Sequence, residues 1–136
     1  MANTNKIPVA IIGASGYSGE ELIRLLSKHP NAQITRITSR KYDGQKIGEI
    51  FPRFAESELT FSQPDVDDVA AHADVVFLAL PHGLAAEFAL PFLEKGLKVI
   101  DISADFRLNS TEKYKAYYSV DHPDPELLKT AVYGAP

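Results

Sequence analysis

No cysteine occurs among the 136 residues. Disulfides, cysteine-ligated zinc and thiol catalysis are therefore excluded within this chain. Positive charge is scarce beside negative: 14 Lys and Arg stand against 18 Asp and Glu, a formal net charge of −4. A nucleic-acid binder needs a basic patch to neutralise phosphates, and a polybasic membrane contact needs clustered cations, so neither partner is expected. No run approaches the roughly 18 apolar residues of a membrane span. The opening segment, MANTNKIPVAIIGASG, has one Lys and an apolar stretch too short for a signal peptide. A cytoplasmic location is the resulting expectation. The four histidines (His29, His72, His82, His122) are scattered without His-x-x-His or HExxH spacing, so no metal site is expected.

What is present describes a folded domain. Hydrophobic residues make up 45% of the chain and charged residues 24%, values that exclude a disordered or low-complexity segment. The length suits one domain, residues 1–136, able to bury roughly two-thirds of its unfolded surface. Ile7 to Ala14 (IPVAIIGA) reads as a strand buried on both faces of a parallel sheet. Ser18 to Lys28 has Leu22, Ile23, Leu25 and Leu26 on one helical face, and Pro30 stops it. Gln33 to Thr38 alternates as a second strand. Residues 39–58 are polar and contain glycines, and they read as a long loop. Leu59 to Phe61 suits a short strand and Asp65 to His72 a short helix with acidic residues at its positive end. Asp74 to Leu80 is a buried strand, Leu84 to Lys95 a helix closed by Gly96, and Leu97 to Ile102 a further strand. Residues 103–136 are mixed, with three tyrosines, a turn at HPDP and a short helix near Glu126. Alternating strands and helices predict an α/β fold, a Rossmann-like, mostly parallel sheet with flanking helices. Four main strands are counted where a doubly wound domain has six, so the sheet looks incomplete at its C-terminal end.

Gly13-Ala-Ser-Gly-Tyr-Ser-Gly19 joins the first strand to the first helix. Its G-x-x-G-x-x-G spacing is a variant of the dinucleotide fingerprint. Gly13 allows a tight turn, Gly16 lets amides approach a pyrophosphate at the helix N-terminus, and Gly19 permits close packing. Ser15 and Ser18 can donate hydroxyl hydrogen bonds to phosphate. The second strand ends in Ser39-Arg40-Lys41, where an NAD binder places an acid for the ribose 2′-hydroxyl. One hydroxyl and two cations suit a 2′-phosphate instead, which points to NADP. The alternative is solvated charge at the start of a loop.

Two more strand ends carry polar residues. Pro81 and Gly83 can pass backbone against a nicotinamide ribose, and His82 can donate to it or to a substrate; a capping histidine is the other reading. Arg107 is the best local candidate for an anionic substrate group, although a structural pair with Asp105 fits equally. Asp101, inside an apolar strand, requires a partner or an open end.

The segments GASGYSGEEL (13–22), TSR (38–40), FLALPHG (77–83), VIDISADFRL (99–108) and YGAP (133–136) resemble, in order, the N-terminal cofactor domain of the N-acetyl-gamma-glutamyl-phosphate reductase family. GASGYSG is shared with aspartate-semialdehyde dehydrogenase, whereas LPHG and SADFRL are more specific. The resemblance implies an NADPH-dependent reduction of a small acyl phosphate to the semialdehyde in arginine biosynthesis. In that family a cysteine thiolate forms a thioester that hydride reduces, and a histidine elsewhere acts as acid and base. It further implies that Gly13, Ser15, Gly16, Tyr17, Ser18 and Gly19 contact the pyrophosphate, that Ser39 and Arg40 hold the 2′-phosphate, and that Pro81, His82 and Gly83 line the nicotinamide end. Ser103 and Arg107 would face the substrate. This chain departs from the family in having no cysteine. It is therefore expected to be an isolated cofactor domain, without the substrate domain and without a catalytic residue, from an enzyme that is a homo-oligomer when whole. A stand-alone NADP-binding regulatory module and the cofactor domain of aspartate-semialdehyde dehydrogenase are the alternatives.

Overall fold

The computed structural model describes residues 6–81 and 84–102. Its first strand, β1 (Ile7–Ile12), is followed by helix α1 (Tyr17–Ser27) and β2 (Ala32–Thr38). A short helix α2 (Ile47–Ile50) and a 3-10 turn (Pro52–Phe54) lead to β3 (Phe61–Ser62). Then come α3 (Val66–His72), β4 (Val75–Leu78), α4 (Ala85–Glu94) and β5 (Lys98–Asp101). The five strands form one sheet in the order β3-β2-β1-β4-β5, every pairing parallel. The predicted Rossmann-like sheet with flanking helices is thus observed, with β3 as a fifth, two-residue strand.

β1 is central and its apolar run is buried on both sides, as the IPVAII sequence predicts. Ala10 and Ile12 face a cluster with Val76, Leu78, Phe88 and Phe92, beneath α3 and α4. Ile11 faces the opposite cluster with Ile23 of α1, Ile37, Ile47 and Phe61. From Val9 to Ile12 this two-sided burial leaves β1 no solvent face, so alternation is absent from that part of its sequence. On the outer strand β5 the covering thins, and Ile100 is 46% exposed.

α3 begins at Asp65, whose carboxylate accepts the Asp68 N–H at 3.1 Å. Asp68 in turn receives Arg36 Nε of β2 at 2.9 Å. This guanidinium holds the Asp68 carboxyl below its usual range. α4 ends in a Schellman turn. Gly96 has φ +86°, and the N–H groups of Gly96 and Leu97 donate to the carbonyls of Leu93 and Phe92.

One expectation is corrected. Residues 39–58 are not an open loop, because Ile47 is fully buried in the second cluster and Ile50, Phe51 and Phe54 pack against it. Apolar residues at i, i+3, i+4 and i+7 from Ile47 make one face of a short helical stretch. Arg53 further ties that stretch to α1 through Glu20, at 3.1 Å. Among the described residues, no helix is long and apolar enough to cross a membrane.

Candidate functional site

Between β1 and β4 the chain leaves the sheet in opposite directions, and this reversal opens a crevice outside the strands' carboxyl ends. The crevice holds a cavity of about 350 Å³, a size typical of small-molecule sites. Its floor is the turn after β1. Gly13 has φ +80°, a conformation that costs other residues roughly 1–2 kcal/mol. A Cβ there would also lie 2.7 Å from the Ala79 carbonyl oxygen, so the turn closes tightly on the end of β4.

Thr38, the last residue of β2, pins this turn. Its Oγ1 accepts the Gly13 N–H at 3.3 Å and its carbonyl accepts the Ala14 N–H at 2.9 Å. Gly16 then caps α1 without a side chain, and a Cβ built on it meets nothing within 4 Å. The positive end of an eleven-residue helix thus begins at a cavity-lining glycine with no side-chain cap on its first-turn amides.

The predicted residues divide into three groups. Gly13, Ser15, Gly16, Ser39, Arg40 and Pro81 all line the cavity. Tyr17 (93% exposed) and Ser18 lie on the outer surface of the first turn, while Gly19 is buried against Ala14 and reaches the cavity only through the turn it closes. His82, Gly83, Ser103 and Arg107 lie outside the described residues.

Ser39 is 5% exposed, and its hydroxyl already serves the protein. It donates to Ser15 Oγ at 3.2 Å and accepts the Tyr42 N–H at 3.3 Å, which joins the glycine turn to the segment after β2. Arg40 is different. Its side chain is exposed, and among the described residues no carboxylate lies within ion-pair distance of it or of Lys41. Its guanidinium Cζ sits 5.8 Å from the centroid of the Phe88 ring.

Sequence reasoning missed Thr38, Leu84, Glu87 and Phe88 as parts of this site. Thr38 becomes visible only with the register that sets it beside Ile12. Phe88 belongs to the apolar stripe of α4 and reads as core from sequence; the packing of α4 on the sheet brings it to the cavity. Chemically the site offers the first-turn helix amides, two cations, the Glu87 carboxylate and an apolar wall. That combination suits a pyrophosphate flanked by a further anionic group and a flat ring.

Comparison with known proteins identifies the family of the chain and relates its fold to solved structures. The family model of the semialdehyde dehydrogenase NAD-binding domain matches residues 8–136. An N-acetyl-gamma-glutamyl-phosphate reductase of Akkermansia muciniphila is 49% identical over 135 residues, which cover 96% of this chain and 39% of that protein. A [LysW]-L-2-aminoadipate/[LysW]-L-glutamate phosphate reductase of Sulfolobus acidocaldarius is 50% identical over 131 residues, covering 96% of this chain and 37% of that protein. The crystal structure of aspartate semialdehyde dehydrogenase with NADP from Candida albicans superimposes with a TM-score of 0.66 at 21% identity. That superposition covers 87% of this chain and 40% of the other, and it shows a shared fold. The chain thus spans under two-fifths of the length of these two curated relatives.

Proposed function

The chain belongs to the semialdehyde dehydrogenase NAD-binding domain family, and on that premise we propose that it is the NADP(H)-binding domain of an N-acetyl-gamma-glutamyl-phosphate reductase. In this reading residues 1–136 hold the cofactor, and a substrate domain in the whole, cytoplasmic, homo-oligomeric enzyme supplies the nucleophile. The aspartate-semialdehyde dehydrogenase alternative is less well supported, because that likeness is one of fold at 21% identity. Bound nicotinamide would supply the hydride. This chain's own residues bind and orient: the α1 amides take the pyrophosphate, Arg40 and Lys41 the 2′-phosphate, and Pro81 and Leu80 border the path toward the nicotinamide.

The observation that carries the choice of NADP is the pair of carboxylate-free cations on the cavity wall at the end of β2, where NAD binders place an acid. A charged contact of this kind contributes roughly 1.5–3 kcal/mol. Arg40→Ala is accordingly expected to weaken NADP binding about tenfold or more and to leave NAD binding nearly unchanged. Calorimetric titration of the 136-residue chain with both cofactors measures this; equal affinities in the unsubstituted chain would refute the NADP assignment.

A second expectation is that the chain holds NADPH without turning over substrate, since no thiol is present to form the thioester. Incubation with NADPH and N-acetyl-glutamyl phosphate should leave the cofactor absorbance at the no-protein rate. Protein-dependent oxidation would show that the chain carries its own catalytic group.

A further inference from the structure

Arg40 reaches across the crevice, from the end of β2 to α4, and its one partner among the described residues is the Phe88 ring at 5.8 Å. The two residues line the same cavity. The ring is firmly held. Phe88 is 7% exposed, belongs to the core cluster with Leu78 and Val69, and stacks on Phe92 with centroids 6.4 Å apart and planes at 22°. Arg40, by contrast, is exposed, on a long side chain at the start of a connecting segment.

We propose that Phe88 is a positioning residue for Arg40: its ring holds the guanidinium against the cavity wall, ready for the 2′-phosphate of the nucleotide. This rests on the NADP reading above and deepens it. The physical basis is that the two contacts use different directions of one group. A guanidinium meets a ring through its flat face, while its five N–H donors lie in the plane and stay free for phosphate oxygens. The ring therefore does not compete with the phosphate. It removes rotamers in which Arg40 would extend into solvent, so less freedom is lost when the nucleotide binds. The ring's position on α4, across the crevice from β2, also makes cofactor choice depend on the β4–α4 crossover as well as on the β2 end.

The test is a selectivity measurement on the 136-residue chain. NADP and NAD affinities are compared for the unsubstituted chain, Phe88→Leu, Phe88→Tyr, Arg40→Ala and the Phe88→Leu/Arg40→Ala pair. An exposed cation–π contact corresponds to about a two- to fivefold change in affinity. Phe88→Leu should lower the NADP/NAD affinity ratio by that factor, whatever it does to both cofactors in common through the shared cavity wall; Phe88→Tyr should restore the ratio, and Phe88→Leu should have no effect on it once Arg40 is Ala. Thermal unfolding followed by circular dichroism is the check that Phe88→Leu, a core substitution, remains folded. If Arg40→Ala collapses selectivity but Phe88→Leu does not, or if Phe88→Leu weakens both cofactors equally, the positioning role is refuted and the NADP reading survives. If Arg40→Ala leaves selectivity intact, or neither cofactor binds, the NADP reading falls and the positioning role with it.

Discussion

Gly19→Ala is expected to lower the stability of the chain by about 2–3 kcal/mol, against the usual sign of such a change in a helix. Gly19 is the third residue of α1, where alanine should gain up to about 1 kcal/mol from propensity. A Cβ at this position, however, would stand 2.5 Å from both the Cα and the carbonyl oxygen of Ala14. These are backbone atoms of a buried turn already pinned to Thr38, so they cannot swing aside as a side-chain end would. Overpacking typically costs about 1–3 kcal/mol, and a clash with several backbone atoms lies at or above the top of that range. For a chain of this length the melting temperature should fall by roughly 8–12 °C. Gly16→Ala is the matched control, because nothing lies within 4 Å of its Cβ position. Thermal unfolding followed by circular dichroism compares the two; a Gly19→Ala chain as stable as the parent would show that α1 is free to shift on β1.

At Gly16 a larger side chain should separate folding from binding. Leucine there extends into the open space above the first turn of α1 and touches no protein atom at its Cβ, so Gly16→Leu should melt within a few degrees of the parent. The same space is where a pyrophosphate must sit to accept from the α1 amides. Displacing it forfeits at least two charge-assisted hydrogen bonds, together about 3–6 kcal/mol. Binding of NADP and of NAD should both fall by a factor on the order of 10² to 10⁴. Calorimetry supplies the affinities, and an unchanged Kd for either cofactor would mean that the glycine turn holds no phosphate. The two glycines thus predict opposite phenotypes three residues apart: Gly19 stabilises the fold and Gly16 leaves room for the ligand.

Much of this architecture is legible in the sequence. The buried strand of Val9 to Ile12, the amphipathic helix around Ile23 and the glycines between them are local patterns, set by side-chain chemistry over a few residues. The segment after β2 reads as a loop from sequence for a local reason as well. Its polar residues and glycines outweighed the apolar spacing of Ile47, Ile50, Phe51 and Phe54, and only burial against α1 and Phe61 reveals that face as structural.

The sequence by itself determined the α/β class, the glycine turn between β1 and α1 and the cationic end of β2, because each depends on neighbours in the chain: glycine where a Cβ cannot fit or would fill the cavity, and charge where no acid stands. Tertiary structure alone decided which distant groups share the cavity. Strand register placed the Thr38 hydroxyl under the Gly13 amide, 25 residues earlier. The glycine turn is joined to the segment after β2 in the same way, by the Ser15 and Ser39 hydroxyls, 24 residues apart. The crossover from β4 into α4 carried Phe88 to Arg40, a contact that no periodicity encodes. Periodicity records which face of an element is buried; it carries no information on which element lies opposite, and that is set by the order in which the strands pack.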